Sequence, residues 1–176
     1  MERSTSVIVA VDVHYEGDTA RIGIVGFSSW TDAAPLFVRM VEDSAPYDDY
    51  VPGEFYRREL PALLGALRDN ADVDTVVVDG YVRLAPDRPG LGWRLYETLG
   101  SQIRVVGVAK NHFKGAHAIE VLRGGSRKPL FITAAGVAPT VAAGAVAAMA
   151  GSHRMPTLLQ LADRASRGLE LGSQTP

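Results

Sequence analysis

The sequence predicts an α/β fold, a mixed five-stranded sheet flanked by helices. Two uninterrupted β-branched runs, Val7-Ile8-Val9-Ala10-Val11 and Thr75-Val76-Val77-Val78, have the composition of strands covered on both faces. Apolar residues at helical spacing lie between and after them, and strands alternating with helices need a sheet with helices packed on it. A third observation sets the order: the first run is followed by the turn residues Glu16-Gly17-Asp18, at hairpin distance.

Taken along the chain, the first strand stops at Asp12, and Glu16-Gly17-Asp18 returns the chain as a partner strand over residues 19–27. Leu36-Phe37-Val38 is a short third candidate. Residues 61–67 carry apolar side chains at helical spacing, with Pro61 placed to open the helix, where its missing N–H costs nothing, and Asn70 near the end. The buried strand 75–78 stops at Asp79-Gly80. A helix over 91–99 closes on Gly100, which tolerates the left-handed conformation of a helix end. The apolar run 103–109 stops at Lys110. Leu130-Phe131-Ile132 is a last short strand, followed by an alanine-rich helix from about Pro139 and a polar amphipathic helix over 157–167. A meander followed by alternating strands and helices is the order of a ribonuclease H-like mixed five-stranded sheet flanked by helices. A dinucleotide-binding domain would place a glycine-rich turn after its first strand, where Val13-His14-Tyr15 leads into a hairpin instead. No Gly-x-Gly-x-x-Gly, Walker lysine loop or Gly-x-Ser-x-Gly elbow is present.

Composition narrows the function. With 176 residues, 47% of them hydrophobic and 22% charged, residues 1–176 suit one domain, with a loose tail from about Gly168. Eighteen Lys plus Arg against twenty Asp plus Glu give a charge of -2, so any nucleic-acid contact requires a local basic patch. The absence of cysteine excludes disulfides, thiolate metal sites and cysteine nucleophiles. The apolar tract 134–150 is mostly alanine and glycine and contains Pro139 and Thr140, which argues for a buried helix and against a membrane partner. The run 7–11 is too short for a signal peptide, so a cytoplasmic monomer is expected.

Three apolar runs end at Asp12, Asp79 and Lys110, and parallel neighbours bring such ends together on one edge of the sheet, where α/β proteins bind ligands. Two aspartates side by side repel each other unless a divalent cation lies between them. Carboxylates with open positions suit Mg²⁺, or Mn²⁺ in its place. The competing reading is plain, since Asp also ends strands because it turns well.

The segment Tyr50-Val51-Pro52-Gly53-Glu54-Phe55-Tyr56-Arg57-Arg58-Glu59-Leu60-Pro61-Ala62-Leu63-Leu64 closely resembles the signature of the endonuclease V family, a Tyr-Ile-Pro-Gly wedge followed by Phe-Arg-Glu and a Pro-Ala-Leu-Leu helix. Residues 9–15 resemble the family's opening strand, Val76 to Gly80 its Val-Asp-Gly strand end, and Gly107-Val108-Ala109-Lys110 its Gly-Val-Ala-Lys motif. Arg154-Met155-Pro156 and Leu161-Ala162-Asp163-Arg164 are similar to its Arg-Leu-Pro and Ala-Asp-Arg ending. The resemblance implies that Asp12, Glu59 and Asp79 bind Mg²⁺. It also implies an enzyme that nicks DNA or RNA near deaminated purines, chiefly inosine, in repair, leaving a 3′ hydroxyl and a 5′ phosphate. Lys110 then neutralises charge on the phosphate. Tyr50, Val51, Pro52 and Gly53 form the wedge against an unstacked base step. Backbone amides around Gly80 line the pocket for the extruded base. Arg57 and Arg58, with Lys110 and Lys114, supply the basic patch.

The chain also departs from that pattern. The family's Gly-His-Arg, after the last core strand, reads Gly136-Val137-Ala138 here, so a histidine expected near the metal is Val137. Tyr81 stands where histidine or asparagine is usual, and Ala85-Pro86 where the family shows His-Pro. His14, two residues past Asp12, or His112 and His117, beyond Lys110, are the candidates to substitute. His153 reads as a loop residue, and Trp30 and Trp93 as packing residues. Loss of the histidine leaves open a catalytically weak or inactive nucleic-acid-binding protein. A junction-resolvase-like nuclease would need the acids but not the wedge.

Overall fold

The computed structural model describes residues 6–44, 55–69 and 72–169. The hairpin falls where its turn residues place it, with β1 (Val7–Glu16) and β2 (Thr19–Phe27) joined through Gly17 at φ +58°. β1 does not stop at Asp12. It continues to Glu16 because its antiparallel pairing with β2 runs the whole length of the hairpin, while its parallel pairing with β4 (Val73–Asp79) ends at Val11 opposite Val78.

β3 (Phe37–Asp43) pairs with β2 and extends the short Leu36-Phe37-Val38 candidate. β7 (Arg104–Ala109) lies parallel to β4, and β9 (Leu130–Ala135) antiparallel to β7. β8 (Ile119–Val121) pairs with β9 at the far edge. The order is β3-β2-β1-β4-β7-β9-β8, seven strands where five were expected. The sequence leaves β8 unmarked because three residues on an edge carry too short an alternation to read. A separate small hairpin joins β5 (Arg83–Ala85) to β6 (Arg88–Pro89).

α1 (Phe55–Leu67) corrects a second expectation, since it begins well before Pro61 and contains that proline. A proline inside a helix withholds the N–H that would reach the carbonyl four residues back, here Arg57. The Tyr15 hydroxyl donates to the adjacent Arg58 carbonyl at 3.0 Å, which ties this turn to β1. α2 (Leu91–Thr98) closes at Gly100, φ +73°, as expected. α3 (Pro139–Ala148) starts with proline in its first turn, and α4 (Thr157–Ser166) follows. Among the described residues no helix is long and apolar enough to cross a membrane.

Strand alternation divides the core into two layers. Val9, Val11, Val76 and Val78 face Ala62, Leu63 and Leu95 of α1 and α2. Ile8, Ala10, Val77 and Val108 face Val146, Leu158 and Ala162 of α3 and α4. At one point α4 lies directly against strand backbone. A Cβ on Gly23 would meet the Ala162 carbonyl oxygen at 2.2 Å and the Ser166 nitrogen at 2.7 Å, so only glycine admits the helix this closely. The loop leading into α4 is held by Arg123, whose buried guanidinium donates to the carbonyls of Met149, His153 (2.9 Å) and Arg154 (3.2 Å). Arg154 in turn donates to the carbonyls of Lys110 and Pro129. Carbonyl dipoles substitute for the carboxylate that a buried cation otherwise needs.

Candidate active site

Asp12 and Asp79 occupy the next positions after the last Val11–Val78 pair of two adjacent parallel strands, and Lys110 follows the neighbouring strand β7. Because β1 continues with β2 while β4 ends, the two strands part at these aspartates and open a gap in the sheet edge. Alternation points Asp12 and Asp79 to the α4 side. Glu59 arrives from α1 on the other side. A cavity of about 440 Å³ wraps over the edge and is lined by Asp12, His14, Glu59, Asp79, Lys110 and Asp163, with Arg58 and Arg167 at its margin.

The acids in this cavity resist ionisation. Burial, then Asp79 and Asp163, push the Asp12 carboxyl up to about 6, against the opposing hydrogen bond from Ser166 and the charge of Lys110. Glu59 is buried and held well above the usual carboxylate range by burial and by the charges of Asp12 and Asp79. Asp79 is raised by burial and opposed mainly by Lys110, whose Nζ lies 3.7 Å from its carboxylate. Half of the Asp79 side chain remains open to water, so screening limits that lift.

Ser166 Oγ lies 2.8 Å from Asp12 Oδ2 and 2.7 Å from the Asp163 carbonyl oxygen. One hydroxyl hydrogen serves one acceptor at a time: it goes to Asp12 when that carboxylate is ionised and to the carbonyl when Asp12 carries a proton and donates. Among the described residues no three acids or histidines already converge as a finished metal cage. The donor set nevertheless fits a hard divalent cation, because crowded oxygen donors that repel one another around open space are what such an ion relieves.

The positions predicted from sequence are only partly brought together. Asp12, Glu59, Asp79, Lys110 and Arg58 meet at the cavity. Arg57 lies beside Arg58 on α1, exposed, with Nε 3.3 Å from the Tyr56 hydroxyl. Tyr50, Val51, Pro52 and Gly53 lie outside the described residues. The amides around Gly80 are largely engaged: Gly80 N–H donates to the Val108 carbonyl at 3.1 Å, and Val82 N–H to Thr133 Oγ1 at 2.8 Å. Gly80 itself, at φ +124° with nothing within 4 Å of a built Cβ, faces open space. Of the histidines, only His14 lines the acid cavity; His112 packs edge-on against Phe131, and His117 lines a separate cavity with Thr133 and Pro139.

The model of the endonuclease V family matches residues 1–141. The chain belongs to the endonuclease V family. It is 31% identical to endonuclease V of Pyrococcus abyssi over 113 residues, an alignment spanning 64% of this chain and 56% of that relative. The solved endonuclease V of Streptomyces avermitilis superposes with a TM-score of 0.76 at 26% identity, covering 94% of this chain and 81% of the other. The endonuclease V of Ciona intestinalis, solved in complex with a 24mer DNA containing an inosine followed by a ribo-adenosine, shares the fold. Its TM-score is 0.73 at 18% identity, over 93% and 85% of the two chains. These neighbours confirm the ribonuclease H-like architecture.

Against the endonuclease V pattern, two departures change meaning in three dimensions. Val137 follows β9, which runs antiparallel to β7, with Ala135 opposite Val105 and Phe131 opposite Ala109. Four strand residues, roughly 13 Å, therefore separate the start of the Val137 loop from the level of Lys110, so Val137 is at the far edge of the sheet. Its neighbour Gly136 packs against Tyr96 and Arg104 there. A histidine at this position would not reach the acids. Tyr81 is a brace: its hydroxyl donates to the Asn111 carbonyl at 2.7 Å and accepts from Phe113 N–H at 3.0 Å, tying the loop after β4 to the loop after β7.

The residues missed from sequence are Asp163 and Ser166, both on α4 and beyond the stretch matched by the family model. The signal was present. Helical spacing puts Ser166 within the buried stripe of Leu158, Ala162 and Ala165, and Asp163 at its border.

Proposed function

We propose that this chain is a divalent-metal-dependent endonuclease that nicks DNA or RNA near deaminated purines, inosine above all, as a cytoplasmic repair monomer. Asp12, Glu59 and Asp79 hold Mg²⁺, with Mn²⁺ able to replace it. The observation that carries this reading is the meeting of three acids from β1, α1 and β4 around one open cavity in an endonuclease V chain. Asp163 supplies a fourth carboxylate from α4, and Ser166 steadies Asp12. The bound ion would polarise the phosphodiester and lower the pKa of an attacking water. Lys110 sits where it can neutralise charge developing on the phosphate once the ion takes up Asp79. His14, within the cavity, is the imidazole that could give or take a proton beside the acids. The Tyr50-Val51-Pro52-Gly53 segment directly precedes α1 and would wedge the unstacked base step. Gly80 offers the open backbone position beside which the extruded base would lie.

The alternative of a catalytically weak or inactive binder is argued from the lost histidine, and the far-edge position of Val137 weighs against that argument. The deciding assay incubates the purified protein with labelled inosine-containing and undamaged strands, in Mg²⁺ or in chelator. Metal-dependent nicking confined to the inosine strand is expected; binding without nicking in saturating Mg²⁺ and Mn²⁺ would overturn the assignment.

A further inference from the structure

Nine of the described arginines separate into two sets by their partners. Arg21 is paired with Glu16 and Glu42, Arg104 with Asp74 and Arg167 with Asp163, while Arg123 and Arg154 are consumed by backbone carbonyls. Arg58, Arg83, Arg88 and Arg94 have no carboxylate within ion-pair distance among the described residues. Each lies over an aromatic ring instead: Arg58 over Tyr15 at 3.8 Å, Arg94 over Tyr56 at 3.9 Å, Arg83 over Trp93 at 3.6 Å and Arg88 over Phe113 at 5.7 Å. The Nε atoms of Arg58 and Arg94 are buried without a hydrogen-bond partner, as is that of Arg154, and Arg83 gives one N–H to the Pro86 carbonyl at 3.2 Å.

These four positions follow a continuous surface. Arg58 stands on α1 at the margin of the acid cavity, α1 packs on α2, which carries Arg94, and α2 touches β5 and β6, which carry Arg83 and Arg88. Stacking fixes the plane of a guanidinium while leaving its N–H edge outward, the arrangement that receives phosphate oxygens in pairs. The outward terminal nitrogens, and not the buried Nε atoms, are the ones an anionic ligand oxygen would meet. In a chain of net charge -2, a strip of uncompensated guanidinium groups starting at the acids is a local exception.

We propose that this strip is the track for the sugar-phosphate backbone of the strand being cut. The strand leaves the carboxylate cavity at Arg58, crosses the α1–α2 face at Arg94 and runs out over the β5–β6 hairpin at Arg83 and Arg88. The inference rests on the nuclease reading above and adds the path and the residues that hold it. The opposite path, over β2 and β3, carries Arg21, already neutralised by two acids, and one stacked guanidinium, Arg39 over Phe37 at 4.6 Å, against four along the strip.

The test is the salt dependence of binding to a labelled single strand, with and without inosine, in Ca²⁺ so that cutting does not intervene. Each phosphate contact removed lowers the slope of log K against log salt by about 0.7 on single strands. The double variant Arg83→Gln, Arg94→Gln should therefore lose a slope of about 1.4, equally on both strands. Arg104→Gln, which removes the same charge at the far sheet edge, should leave the slope unchanged. Arg83→Lys, Arg94→Lys keeps the charge but not the fork, and should retain the slope with weaker affinity; it also serves if the glutamine variant melts early. A native slope in the folded double variant overturns the track while leaving the nuclease reading intact. A native protein that binds neither strand overturns both.

Discussion

Replacing Asp12 by asparagine should make the metal-free protein more stable, which is the reverse of what loss of a site residue usually does. The carboxyl has an ordinary value of 3.8 in the unfolded chain and about 6 in the folded one, so the folded state binds its proton more tightly. Below about pH 4 both states are protonated and there is no penalty. As pH rises through that window the native protein loses stability, and above it the loss is complete at about 3 kcal/mol. Asparagine keeps the size of the side chain and an oxygen for the Ser166 hydroxyl, and also relieves Glu59 of one of the charges that oppose its ionisation. In chelator near neutral pH, Asp12→Asn should therefore melt roughly 6 to 12 °C higher than the native protein, at 2 to 4 °C per kcal/mol for a chain of this size. The two curves should converge near pH 4. Adding Mn²⁺ should raise the melting temperature of the native protein by mass action and leave the variant where it was. Differential scanning fluorimetry across pH reads all three. A variant less stable than the native chain at neutral pH in chelator, or a gain that persists undiminished at low pH, would refute the electrostatic argument.

Asp163→Asn should weaken Mn²⁺ binding by about 10- to 100-fold in calorimetric titration, the usual worth of a carboxylate that supports a metal site; unchanged affinity would remove Asp163 from the site. Gly23→Ala drives a Cβ into the Ala162 carbonyl, so α4 must retreat, costing about 1 to 3 kcal/mol in urea unfolding. A native midpoint would mean that the helix tolerates more than the geometry allows. Val137→His should leave the nicking rate unchanged, since its loop is at the far edge from the acids; a clear rise in rate would place that edge in the chemistry after all. Tyr50→Ala should reduce the preference for inosine over undamaged strands more than it reduces general binding, and equal losses on both would count against the wedge.

What the sequence makes legible is whatever a short stretch of chain decides alone. The valine runs ending in Asp12 and Asp79 identify central strands, because burial on both faces demands such composition. Parallel pairing then makes the two aspartates neighbours without further information. Glu59 is legible only through the resemblance, because a lone glutamate near a helix start has no signature of its own. The start of α1 is misread from Pro61, since proline's preference for the first turn is a statistical tendency and Tyr15 helps tie down the turn here. The part played by Asp163 and Ser166 depends on where α4 docks, and that is set by Gly23 on a strand far away in sequence. Val137 is misplaced for a similar reason: motif order does not say that β9 runs against β7 and takes its far end away from the site.

The close seating of α4 on Gly23 has a consequence for how the molecule is made. Chains emerge N-terminus first, but a domain generally folds as a unit. Asp12, Glu59 and Asp79 all precede α4 along the chain, so the hollow they line cannot be completed until α4 is made. In the unfolded chain water screens the repulsion among the three acids and keeps it small. Docking of α4 against β2 dries the hollow and sets the electrostatic tension that a cation would later release. α4 is thus the helix that brings Ser166 and Asp163 against Asp12 and makes the carboxylates a site.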